Sequence, residues 1–264
     1  MLSPVQIAKN YVDVGAGKTK LPAAKMFVLA VFAGLFIAVA GSAAAIASAT
    51  IPDPSAARLV NSLVFPAGLA MVVLAGSELF TGNSLIIISV LEKKASITGM
   101  LKNWGIVYLG NLIGSLFLAL LFVYSHIPDL YDGALAQNLV TIAAAKTSLS
   151  FSDAFLRGIL CNILVCIAVW ISIGAPSAPG KILGLYLPIA VFVLCGFEHC
   201  VANMFYIPSA LFIGSTYGIT AEGLNWIGFF LKNLLPVTLG NLVGGAVIVG
   251  CGYWFAYLRQ PKRS

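Results

Sequence analysis

Val107-Tyr108-Leu109-Gly110-Asn111-Leu112-Ile113-Gly114 returns 130 residues later as Val237-Thr238-Leu239-Gly240-Asn241-Leu242-Val243-Gly244. With Lys102-Asn103 and Lys232-Asn233 ahead of them, eight of thirteen positions agree at one offset, more than shared hydrophobicity produces. Earlier in each half, Gly76-Ser77-Glu78 followed by Asn83 returns as Gly196-Phe197-Glu198 followed by Asn203, at an offset of 120. The chain reads as a duplication whose second copy carries ten extra residues after its Gly-Glu-Asn motif.

The material around these motifs is apolar. Hydrophobic residues make up 60% of the 264 positions and charged residues 9%, and the mean hydropathy is +0.99. A soluble domain needs about a quarter of its residues charged to cover its surface, so lipid is the main solvent here. An apolar core of about 30 Å takes roughly 20 helical residues to cross. Six stretches qualify, near 26–50, 62–91, 104–125, 155–175, 182–213 and 225–258. Trp104, Tyr124, Trp226, Trp254 and Tyr257 gather near their ends, as interfacial anchors do. The expected fold is an all-α polytopic membrane protein with six transmembrane helices. One channel domain spans 1–264, with three-helix repeats at about 26–125 and 155–258 after a polar, basic N-terminal segment 1–25.

The net charge of +6 lies between the apolar stretches, so it reads as a topology signal and not as a nucleic-acid surface. Six spans put both termini on one side of the membrane. With that side cytoplasmic, Lys9, Lys18, Lys20, Lys25, Lys93, Lys94, Lys102, Lys181, Arg259, Lys262 and Arg263 fall inside. Only Arg58, Lys146, Arg157 and Lys232 fall outside, while Asp53, Asp129, Asp132, Asp153 and Glu222 are all external. Cys161, Cys166, Cys195, Cys200 and Cys251 lie in apolar stretches without disulfide or zinc spacing, and read as small buried residues.

Three spans per repeat is an odd number, which turns the two halves over relative to each other and places a shared pathway near the midplane. Glu78 and Glu198 fall in the middle of spans two and five. A carboxylate at that depth costs several kcal/mol unless paired, neutral or hydrated. Gly76, Gly196, Asn83 and Asn203 weaken the helix around it. Irregular backbone persists at membrane depth only where protein or a water-filled cavity satisfies it. Two interrupted helices facing one another around a pore follow, their half-helix N-termini suited to an anion. The glutamates are expected to hold the re-entrant backbone through its N–H groups, since a fixed negative charge opposes anion passage.

His199 is the sharpest candidate for chemistry, because the matching position in the first motif is Leu79. The scaffold is duplicated and the imidazole is not. Histidine also has an unperturbed pKa of about 6.5, which permits protonation changes near neutrality. Thr81 offers a hydroxyl at the first break, or a bond within its own helix. Asn162 is a buried amide that reads equally as a pathway residue or as glue between helices. Lys146, in the loop before span four, is either solvated or an attractor of anions into a vestibule. Cys195, Glu198, His199 and Cys200 do not all share one helical face, and the other half holds no ligand cluster, so no metal or other cofactor is expected. Gly110, Gly114, Gly240 and Gly244, spaced four apart, read as close-packing surfaces.

The stretches Gly76–Asn83, Ala145-Lys146-Thr147, Cys161–Trp170, Gly196–Met204 and the paired Leu-Gly-Asn-Leu segments together resemble the formate/nitrite transporter family of membrane channels. The resemblance runs from span two to span six. It implies a homopentamer of aquaporin-like protomers, each with its own pore, in a bacterial or archaeal cytoplasmic membrane. It places the central pore histidine on His199, the first-break threonine on Thr81, the vestibule lysine on Lys146 and the pore-side asparagine on Asn162. Apolar constrictions flanking the histidine fall on Leu79 and Phe80, with Phe192 and Leu69 opposite.

The expected function is passage of a small monovalent weak-acid anion such as formate or nitrite, or alternatively hydrosulfide. Lysines and half-helix dipoles concentrate the anion, an apolar slit raises its pKa, and a proton from bulk water or through His199 neutralises it for crossing. A water- or glycerol-type pore is the competing channel reading, but neither half carries an Asn-Pro-Ala turn; the nearest element is Ala202-Asn203-Met204. A membrane enzyme would need paired acids or a metal cluster, where the sequence offers one histidine and two scaffold-like glutamates.

Overall fold

A computed structural model describes residues 1–259 as helices and connecting turns, with no strand among them. Lys262 and Arg263 of the basic C-terminus lie outside the described residues. The chain opens with α1 (Pro4–Lys20), started by a capping box in which Ser3 N–H donates to Gln6 Oε1 at 2.9 Å and Ser3 Oγ accepts from Gln6 N–H at 3.4 Å. Next come α2 (Ala23–Ser48) and α3 (Pro54–Val64), the latter capped by Asp53 Oδ1 on Ala56 N–H at 2.7 Å. A bend at Phe65-Pro66 leads into α4 (Ala67–Ala75). Beyond a break lie α5 (Phe80–Asn83), a 3₁₀ turn over Ser84–Ile86 and α6 (Ile87–Leu91). Then follow α7 (Ile97–Tyr124), α8 (Ala134–Thr147), α9 (Phe151–Gly174), α10 (Ala178–Leu194) and α11 (Cys200–Tyr217). The last helical run holds α12 (Leu235–Leu242) and α13 (Gly252–Tyr257), joined to π-helical turns at Gly228–Leu234 and Val243–Cys251.

Five runs are long and apolar enough to cross a membrane: Ala23–Ser48, Pro54–Ala75, Ile97–Tyr124, Phe151–Gly174 and Gly228–Tyr257. The two stretches carrying the Gly-Glu-Asn motifs are each cut, between Ala75 and Phe80 and between Leu194 and Cys200. Gly76 (φ +80°) and Gly196 (φ +69°) turn the backbone into the left-handed region at these cuts, a conformation that a residue with a Cβ resists.

Two helix pairs form the frame. α2 packs on α7, and α9 packs on α12 and the π-helical turn after it. Both contacts are backbone against backbone. A Cβ on Gly110 would meet the Phe27 carbonyl at 3.0 Å, and one on Gly114 would strike the Val31 carbonyl. Gly240 and Gly244 stand likewise against the carbonyls of Phe155 and Ile159. The close-packing surfaces expected of these four glycines are present. Large apolar side chains point away from the frame, among them Phe32, Leu109, Phe117, Leu183 and Ile227, all exposed.

Two helices outside the expected spans depart from the sequence reading. The N-terminal segment is helical and docked, burying Ile7, Ala8 and Tyr11 against the body of the protein. The stretch before α9, expected as loop, is the fourteen-residue α8, whose last turn carries Lys146. Of the cysteines expected as buried, Cys161, Cys166 and Cys200 are so, Cys251 is half-buried, and Cys195 at the second cut is exposed.

Candidate functional site

Each cut leaves backbone groups without helical partners, and each is repaired in the same way. Asn111 Oδ1 accepts from Phe80 N–H at 2.9 Å, while its Nδ2 donates to the carbonyls of Glu78 (2.9 Å) and Ala30 (2.8 Å). Asn241 Oδ1 accepts from Cys200 N–H at 3.0 Å, while its Nδ2 donates to the carbonyls of Glu198 (3.0 Å) and Gly158 (2.8 Å). One buried asparagine per half therefore uses both ends of its amide to clamp a broken helix to its neighbour. This corrects the expectation for Glu78 and Glu198. The Leu-Gly-Asn-Leu asparagines, and not the glutamates, satisfy the re-entrant backbone.

The carboxylates instead hold lysines. Lys18 Nζ lies 2.7 Å from Glu78 Oε1, and Lys146 Nζ lies 2.8 Å from Glu198 Oε1. The second oxygens accept from Asn83 and Asn203, each at 2.7 Å. Asn83 then donates to Asn103 at 2.9 Å, and Asn203 to Asn233 at 2.7 Å. Asn103 and Asn233 close each ring on the carbonyl of the same lysine, Lys18 at 3.3 Å and Lys146 at 2.9 Å. Both lysines sit in the last turn of a short helix, where the helix dipole favours a cation. Lys146, expected to be free to attract anions, is an ion-pair partner with its side chain 17% exposed.

His199 and Thr81 come together from the two cuts, with Nε2 and Oγ1 3.0 Å apart and both residues buried. The imidazole also caps α11, its Nδ1 accepting from Ala202 N–H at 3.1 Å. A nitrogen that accepts carries no proton, so this bond fixes the neutral tautomer with the proton on Nε2, directed at Thr81. Phe192 stacks on the imidazole with centroids 5.9 Å apart and meets Phe65 edge-on at 5.7 Å. Leu79 occupies the position equivalent to His199 and starts α5 with a similar backbone, φ −108° against −111°. Phe80 packs edge-on against Tyr108 at 4.8 Å and Trp104 at 6.5 Å.

Asn162 bridges helices. Its Nδ2 reaches the carbonyls of Thr81 (3.2 Å) and Asn241 (2.6 Å) and the Ser84 hydroxyl (3.2 Å), tying the first cut to the second half. A cavity of about 480 Å³ reaches His199 and is walled in part by Phe65, Phe192, Lys146 and Glu198. Leu69 is buried in α4 but is not part of that wall; Phe65, one helical turn earlier, is. Arg58 and Arg157 also line the cavity. No motif marks Phe65, Arg58 or Arg157, and in the sequence Lys18 is legible only as a topology signal.

Known proteins resemble this chain over most of its length. A family-wide sequence profile described as "Formate/nitrite transporter" matches residues 5–255. A probable formate transporter of Methanothermobacter thermautotrophicus is 41% identical over 98% of this chain and 98% of its own. The formate channel FocA of Escherichia coli (strain K12) is 36% identical over 98% of this chain and 96% of its own. Among solved structures, a pentameric formate channel with formate bound superposes with a TM-score of 0.80 at 38% identity, covering 90% of this chain and 98% of that one. An FNT family ion channel superposes with a TM-score of 0.87 at 31% identity, covering 97% and 99%. These relatives are named as channels and transporters and not as enzymes. The profile match over residues 5–255 and relatives 41% and 36% identical over 98% of its length make this chain a member of the formate/nitrite transporter family.

Proposed function

We propose that the chain conducts a small weak-acid monoanion, formate or nitrite, through a pathway between its two helix breaks, with His199 taking part in proton transfer. The observation that carries this is the 3.0 Å contact between His199 Nε2 and Thr81 Oγ1, which joins the two breaks through their polar side chains. At an offset of 120 the equivalent positions are Leu79 and Val201, both buried and apolar. A bare anion crosses such a lining only at large dielectric cost, whereas the neutral acid does not carry it. Burial raises the acid's own pKa, and the Nε2–H aimed at Thr81 can donate a hydrogen bond to an anion that displaces the hydroxyl. His199 hands over the Nε2 proton only after Nδ1 has released Ala202 N–H and taken a proton from water, so that the ring passes from imidazolium back to neutral imidazole. Leu79, Phe80 and Phe192 supply apolar narrowing, and Leu69 supports the packing behind it.

The architecture we propose is six membrane-crossing segments in two inverted repeats, about 26–125 and 155–258, forming one channel domain. Tyr108 Oη and Thr238 Oγ1, equivalent positions at the 130-residue offset, lie 2.8 Å apart. Equivalent groups meet in this way only close to the axis that relates two halves. The exposed apolar surface fits lipid and further copies of the chain, and the relative described as a pentameric formate channel supports a homopentamer. The excess of basic residues on the side of the termini supports placing both in the cytoplasm.

The test is initial flux of formate, nitrite and hydrosulfide in proteoliposomes at two pH values, with glycerol swelling alongside. Formate or nitrite flux that rises on acidification is expected. Dominant hydrosulfide flux would move the substrate within the family. Glycerol permeation without anion flux would overturn the proposal in favour of a neutral-solute pore.

A further inference from the structure

Lys146 is the basic residue that the family resemblance sets in the mouth of the pathway, yet its charge is matched by Glu198 at 2.8 Å. Glu198 is also the one carboxylate lining the 480 Å³ cavity, among the described residues. The pair is closed within its ring of asparagines. What remains in the wall is the charge of Arg58 and Arg157, both exposed to the cavity and neither within 4.0 Å of a carboxylate among the described residues.

Both arginines are placed at the second break. A Cβ built on Gly196 would lie 3.1 Å from Arg58 Nη1, so the α3 guanidinium hangs directly over the left-handed turn. The carbonyl of Arg157 accepts from Glu198 N–H at 3.3 Å, which fixes that residue of α9 beside the same turn. Asp53 and Asp153, the nearest acids along their own segments, are engaged in helix caps and do not line the cavity. Phe65 and Phe192 form the apolar floor that ends at His199. A two-guanidinium rim above an apolar floor concentrates monoanions without neutralising them.

We infer that Arg58 and Arg157 together form an anion-capture site at the mouth, which takes a small carboxylate or a monoanion of similar size before it reaches His199. The inference rests on the anion-channel reading above. Arginine suits the task because its fork pairs with a carboxylate and its charge does not titrate in the working range. Capture of this kind acts on encounter and not on the crossing step. Removing both charges therefore slows entry at low substrate and leaves the saturated rate in place.

The experiment compares wild-type protein with Arg58→Gln, Arg157→Gln and the double variant in proteoliposomes, reading initial formate flux against concentration at low and high salt. The double variant is expected to lose about tenfold of the low-concentration slope and most of its salt dependence, with saturated flux kept within about twofold. Equal loss of slope and saturated flux, or an unchanged slope, would overturn the site. A second readout is free of transport: line broadening of ¹³C-formate by purified protein in detergent, expected for wild type and lost in the double variant. If wild type carries no anion yet this broadening is arginine-dependent, the capture site stands and the transport reading fails. Broadening that survives the double substitution overturns the site whatever the flux.

Discussion

His199 Nε2 stands 3.0 Å from Thr81 Oγ1, although 118 residues separate them, because each lies in the first turn of the helix that restarts after a break, His199 as the cap of α11 and Thr81 as the second residue of α5. The same imidazole holds Ala202 N–H on Nδ1. It is thus both the cap of α11 and the polar partner of the opposite break. These two duties separate by substitution. Asparagine is a good N-cap, so His199→Asn keeps the helix start and removes the exchangeable ring proton. Formate flux through that variant is expected to lose or alter its dependence on pH. Flux that matches wild type at every pH would remove His199 from the mechanism.

The Lys18–Glu78 and Lys146–Glu198 pairs make a stability prediction. Breaking a buried pair by removing one partner leaves an uncompensated charge, at a cost of about 3–5 kcal/mol. The lysine side chains keep 22% and 17% exposure, so the low end, about 3 kcal/mol, applies. Lys146→Met and Glu198→Gln should each lower the thermal midpoint of the purified protein. The double variant should recover most of the loss, because no charge is then stranded. Additive losses in that double variant would show that the pair is not the unit.

The two breaks are legible in the sequence because glycine, glutamate and asparagine recur at fixed offsets inside apolar runs that should exclude them. His199 stands out for a related reason, as a polar residue where the first copy has leucine. The ion pairs are not legible. Lys18 and Lys146 lie 60 and 52 residues from their glutamates, on helices that are shorter than a membrane span and carry no repeated motif. The same distance hides the work of Asn111 and Asn241. Their repetition is visible, but the backbone they satisfy belongs to a segment 31 and 41 residues away. Arg58 and Arg157 carry no pattern, since only the folded α3 and α9 bring them to one cavity.

The glycines of α7 divide by what surrounds them. A Cβ on Gly105 would find nothing within 4 Å, whereas a Cβ on Gly114 strikes the Val31 carbonyl. Gly105→Ala should therefore raise stability by about 0.5–1 kcal/mol, through the reduced freedom of the unfolded chain and better helix propensity. Gly114→Ala should destabilise, because the obstacle is backbone of α2 and cannot rotate aside. Thermal unfolding of both variants in one detergent checks the sign of each, and equal shifts would contradict the packing described.

Asn241 tests whether the clamp needs both ends of its amide. Asn241→Ala strands the Cys200 N–H and the carbonyls of Glu198 and Gly158, each at a cost of about 1–3 kcal/mol if no water replaces the amide. Asn241→Asp keeps the acceptor for Cys200 but turns a carboxylate oxygen toward two carbonyls, where the amide had donated. At neutral pH the aspartate is therefore expected to be the worse substitution, despite its closer shape. Acidification should narrow the gap, because the protonated acid regains one donor. An aspartate variant as stable as wild type at neutral pH would mean that the Nδ2 bonds do not hold the second break in place.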